Sequence, residues 1–121
     1  MDLIEFLRAR LDEDEAVAVD GAEYARRQGG HEGGANWELA ESPEYLTVYV
    51  SPARVLREVE ADRRLIDEVD EAIEGYEGDL DTAPLDAESW IKSAIGDLRR
   101  VLKLRALRFS DHPDYDEAWR P

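Results

Sequence analysis

A chain of 121 residues with 43% apolar and 37% charged side chains can build one core and is too short for two comfortable domains. Its 30 acidic and 15 basic residues give a net charge of −15, which disfavours direct nucleic-acid binding. The absence of cysteine excludes disulfides, thiolate metal sites and cysteine nucleophiles.

The opening MDLIEFLRARLDEDE carries acids where a signal peptide needs a basic start. No apolar run approaches the ~20 residues that cross a bilayer. A cytoplasmic protein with no membrane partner is therefore expected. Ile4, Leu7, Leu11, Ala18, Ala22 and Ala25 recur at helical spacing and predict a helix over residues 2–28. Asp2 is its expected N-cap, with Glu5 completing a capping box, and Gly21 is a candidate break. The glycine-rich stretch 28–34 reads as a loop.

Residues 36–40 suit a short strand. Residues 42–50 (SPEYLTVYV) are ambiguous: Ser42-Pro43-Glu44 starts a helix well, but the alternation of Leu46, Val48 and Val50 with Tyr45, Thr47 and Tyr49 suits a strand. A short β-hairpin near 36–50 is thus held open. Residues 52–76 give the clearest helix, capped by Ser51 with Pro52 in its first turn. Its apolar face is Val55, Val59, Ile66, Val69 and Ile73, with Arg63 in the gap, its aliphatic stem covering the stripe. Gly75 and Gly78 are expected to end it, leaving an acidic loop over 77–85.

A third helix is expected over 87–108, capped by Asp86, with Ile91, Ala94, Ile95, Leu98, Val101, Leu102 and Arg105 at helical spacing. The tail 110–121 holds two prolines and is expected to be irregular, with Tyr115 and Trp119 docking on the helices. The fold class is thus mainly α, three long helices around one core, in a single domain over 1–121.

Charge is unevenly placed. Residues 1–50 carry −8, residues 51–80 carry −6 and residues 81–121 only −1. The last third holds a basic cluster, Arg99, Arg100, Lys103, Arg105 and Arg108, expected to lie among the acidic helices. Only Lys92 and Lys103 are lysines, a coding bias typical of GC-rich genomes, whose proteomes are often acidic throughout.

FLRARLDEDE (6–15), SPARVLREVEADRR (51–64) and LRALRFSDHPDYDEAWRP (104–121) together resemble an actinobacterial and actinophage family known only as a domain of unknown function. Ser51 stands where that family has Asp, and Asp62 where Lys is usual. Many relatives place cysteines between the second and third motifs, and this chain has none. The resemblance implies a helical fold and a bacterial or phage origin, and brings no activity.

Chemical motifs are weak. His112, within Asp111-His112-Pro113-Asp114, offers an imidazole beside carboxylates, but a turn in which Asp111 bonds backbone amides explains it more simply. His31 reads as a solvent-exposed loop residue. The loop at Glu77–Asp81 lacks the glycine at position six and the glutamate at position twelve, where Trp90 stands, of a calcium loop. GGHEGG lacks the lysine of a phosphate loop. No catalytic, metal or cofactor residue is assigned, and an enzyme ranks third among functions. First is a small acidic protein-interaction or accessory protein that binds another protein or a second copy of itself. Second is a nucleic-acid mimic that inhibits a DNA- or RNA-handling protein. The candidate contacts are Asp67, Glu68, Asp70 and Glu71 for mimicry, and Tyr115 and Trp119 for an aromatic anchor.

Overall fold

The computed structural model describes residues 1–27, 37–38 and 49–121. Within these, the chain is mainly α, with helices α1 (Leu3–Arg27), α2 (Pro52–Leu80) and α3 (Leu85–Ala106). Two-residue strands β1 (Trp37–Glu38) and β2 (Tyr49–Val50) pair antiparallel, Trp37 opposite Val50. A hairpin is not seen: that bridge is all the described residues show of the expected β element. The expected glycine-rich loop, His31 and most of residues 42–50 lie outside the described residues.

α1 begins as the capping box dictates. The Asp2 amide donates to Glu5 Oε2 at 2.9 Å, and the Glu5 amide donates to Asp2 Oδ1 at 2.9 Å, satisfying two amides that no helical carbonyl reaches. The helix runs through Gly21 without a break. α2 opens on Ser51, whose Oγ accepts from the Arg54 amide at 3.4 Å and whose carbonyl accepts from Val55 at 3.1 Å. The following proline needs no amide partner in the first turn.

Two helix boundaries differ from expectation. α2 continues through Gly75 and Gly78 to Leu80. A glycine stop relies on left-handed backbone, which neither glycine adopts. The helix closes instead in a tightened turn, with Asp81 and Thr82 amides donating to the Gly78 and Asp79 carbonyls at 3.3 Å each. The expected acidic loop therefore shrinks to the link before Pro84. α3 starts at Leu85 with Pro84 as N-cap and no side-chain cap, so Asp86 lies inside the first turn. There, with Glu88, it places negative charge at the positive end of the helix dipole.

The chain divides into two compact units whose boundaries fall within α1 and α2. In the unit formed by Met1–Arg10 and Arg63–Pro121, three helices pack together. Phe6 and Leu7 of α1, Ile66, Val69 and Ile73 of α2, and Ile91, Ile95, Leu102 and Ala106 of α3 are buried. In the unit formed by Leu11–Asp62, Leu11, Ala18 and Val59 are buried. So is Asp62, which falls in the gap of the α2 apolar row. The steps from Val59 to 62 to Ile66 are three and four residues, so Asp62 takes the inward position expected for Arg63, which is half-buried.

Candidate functional site

α3 yields to a 3-10 turn at Leu107–Phe109, and the tail then folds through successive turns to a second one at Glu117–Trp119. The amides of Ser110, His112 and Tyr115 donate to the carbonyls of Leu107, Phe109 and His112 at 3.1, 3.0 and 2.9 Å. Asp116 caps the last turn, its Oδ1 accepting from the Ala118 amide at 2.9 Å. Backbone bonding of this kind gives the proline-containing tail a fixed path.

That path wraps Phe6. Its ring lies 6.2 Å from Phe109, 5.8 Å from His112, 5.9 Å from Tyr115 and 4.9 Å from Trp119, centroid to centroid. Three of the four contacts are edge-on, the arrangement the ring quadrupole favours. The buried Arg10 guanidinium sits 5.1 Å over the same ring and donates to His112 Nδ1 at 2.7 Å. The Asp114 amide donates to the same nitrogen at 3.1 Å. Since guanidinium and backbone amide are both donors, Nδ1 is an acceptor here and the ring proton sits on Nε2. Asp114 also approaches Arg10 at 3.6 Å. His112, rather than Asp111, is thus the side chain that ties the turn. Tyr115 and Trp119 are half-buried, and the buried Tyr115 hydroxyl has no hydrogen-bond partner among the described residues.

Of the four acidic candidates, Asp67 and Asp70 accept from Arg8 of α1 at 3.0 and 3.3 Å. The hydrogen bond it donates to Asp67, with both carboxylates nearby, holds the Arg8 guanidinium above its usual range. Glu68 and Glu71 are exposed on α2. At the chain end Arg120 donates twice to Glu117, at 2.8 and 3.1 Å. This hydrogen bonding lowers the Glu117 carboxyl below its usual range and raises Arg120. Glu88 is likewise lowered by its hydrogen bond from Lys92. Among the described residues no three histidine or carboxylate side chains converge on a metal position.

The outer surface of α3 carries what the sequence reading missed. Trp90 is 63% exposed and Leu104 51%, and Val101 is exposed with them. Spacings of eleven and three residues bring all three to one side of the helix, away from buried Ile91, Ile95 and Leu102. Trp90 rests edge-on against Tyr76 of α2 at 5.7 Å. Leu85, one turn before it, is 90% exposed. The signal was present: α3 has more apolar positions than a single buried stripe needs. Periodicity alone counted Val101 as core, and no rule distinguished Trp90 from a core tryptophan.

Arg99, Arg100 and Lys103 of α3 occupy a third face. Arg99 Nη2 donates to Glu77 of α2 at 2.7 Å, and Lys103 Nζ donates to the Ala118 carbonyl of the tail at 3.2 Å. Of the expected cluster, Arg99 thus meets acidic α2 and Lys103 holds the tail.

Fold and tail contacts together define a helical protein whose tail seats Tyr115 and Trp119 on Phe6 of the first helix. The chain belongs to the family of unknown function DUF6221, whose profile matches residues 1–121. No curated protein and no solved structure matches it.

Proposed function

We propose that this chain is a protein-interaction module that receives another protein on the outer face of α3. The observation that carries this reading is the exposed Trp90, aligned with Val101 and Leu104 and braced by Tyr76. Exposed tryptophan presents a large apolar area to water, and tryptophan and arginine dominate the energetics of protein interfaces. A ring already held edge-on loses little freedom on binding.

The setting is the cytoplasm of a bacterium, or of a phage-infected one. The absence of cysteine fits a reducing compartment, and no helix of the described residues is long and apolar enough to cross a membrane. Likeness of the three motifs to actinobacterial and actinophage sequences makes an actinobacterial lysate the material for the test. Nucleic-acid mimicry has less support, because Asp67 and Asp70 are engaged by Arg8 within the fold.

The test is capture from nuclease-treated lysate by the tagged chain and by folded Trp90→Ala and Leu104→Ser variants, with helicity checked by circular dichroism. A partner retained by the parent and lost by both variants supports the reading. Retention by both variants, with loss on amidation of Asp67, Glu68, Asp70 and Glu71, overturns it in favour of mimicry. A doubled mass in light scattering that Trp90→Ala abolishes would show that a second copy, not another protein, covers the face.

A further inference from the structure

On the basic side of α3 a groove of about 400 Å³ is lined by Gly96, Arg99, Arg100, Lys103 and Pro121. We infer that this groove binds a small phosphate-bearing anion with two or more negative charges. Its lining is the reverse of the chain's composition: three cationic side chains and no acidic side chain, in a protein where acids outnumber bases 30 to 15. In so acidic a molecule the general field repels anions, so three cations around one concavity must act through local geometry.

Two of the cations are held in place. Arg99 is fixed by Glu77 at 2.7 Å, and Lys103 by the Ala118 carbonyl at 3.2 Å. Arg100 makes no ion pair among the described residues and keeps its whole donor fork for a ligand. Such a fork matches phosphate oxygens two at a time, and lysine adds a point charge. Gly96 leaves the groove open along α3. A Cβ there would meet nothing within 4 Å, so the protein's own packing does not require glycine. Yet mid-helix glycine weakens a helix, and the side chain it lacks is the one that would begin to fill the groove. The open groove is wider than one phosphate group fills. A diphosphate or a phosphate ester of a small molecule therefore fits better than inorganic phosphate.

The experiment is calorimetric titration of the full chain with pyrophosphate, at low ionic strength and with a chelator to remove divalent ions that would bridge phosphate to the acidic surface. Saturable binding is expected, at least ten-fold weaker in Arg100→Ala and in Gly96→Leu. It should be unchanged in Arg57→Ala, which removes an exposed arginine of α2 outside the groove. Repeating the titration with ADP tells whether the rest of a ligand contributes: tighter binding than pyrophosphate, still lost in Gly96→Leu, supports a phosphate ester. No saturable binding of either probe overturns the inference, as does binding that falls equally in Arg57→Ala and Arg100→Ala, because bulk charge would then explain it. The Gly96→Leu variant adds side chain into open space, so its helicity should match the parent, and loss of binding without loss of fold isolates the groove.

Discussion

Phe6 is fully buried and touches Phe109 and three aromatic residues of the tail while supporting the Arg10 guanidinium. Phe6→Ala removes the ring on which those contacts converge. The expected loss is about 3–5 kcal/mol, the range for truncating a buried aromatic residue, read as a lowered denaturant midpoint at unchanged slope. A loss below about 1 kcal/mol would mean that the tail holds without its hub. The Glu117–Arg120 contact acts at the same scale and depends on pH. Glu117 has its folded-state pKa lowered by the hydrogen bond from Arg120. The stabilisation is therefore present above the unfolded carboxylate range and is lost as pH falls through the lower, folded value. Carbon-detected NMR titration should find Glu117 protonating below the unstructured peptide, and Arg120→Gln should return it toward the peptide value. An identical titration in both proteins would remove the hydrogen bond as the cause.

At the scale of helices, Gly75 and Gly78 test where α2 ends. Both sit in helical backbone, and a Cβ at either would meet nothing within 4 Å. Gly75→Ala and Gly78→Ala should each stabilise by roughly 0.5–1 kcal/mol, the helix-propensity difference for an exposed site. If residues 77–80 were instead a glycine-stopped loop, both changes would be neutral or destabilising. That boundary also shows how far sequence carried the fold. The capping box Asp2/Glu5 and the Ser51-Pro52 start were legible because a cap is a local hydrogen-bond pattern written in adjacent residues. The α2 end expected at Gly75 and Gly78 was misread because glycine is only permissive: Arg99–Glu77 and Tyr76–Trp90 contacts, made to the next helix, accompany the continuation of α2 past it. Tyr115 and Trp119 were singled out, but their seat on Phe6 rests on contacts more than a hundred residues apart, which no local pattern encodes. The exposed side of α3 was hidden for the converse reason. Helical spacing gives a face its members without saying which of two apolar faces meets the core.

Across the whole molecule, charge sets the balance. The ion pairs Arg54–Glu58, Lys92–Glu88, Arg99–Glu77 and Arg120–Glu117 are all solvent-exposed. Each such pair is worth only about 0–1 kcal/mol, and salt weakens it. Opposing them is the self-repulsion of a chain carrying −15, which also weakens as salt is added. The two effects have opposite signs in salt, so a single series separates them. Raising sodium chloride from about 0.05 to about 0.5 M shortens the screening length severalfold and leaves the buried contacts around Phe6 untouched. With thirty acids and fifteen bases, repulsion outnumbers pairing, and the thermal midpoint should rise with salt. Chloride is the anion for this series, because sulfate strengthens apolar burial in any protein and would also compete for the α3 groove. A midpoint that falls with salt would mean that the inter-helix pairs, Arg8 with Asp67 and Asp70 foremost, outweigh the repulsion, and Arg8→Ala should then abolish the salt dependence.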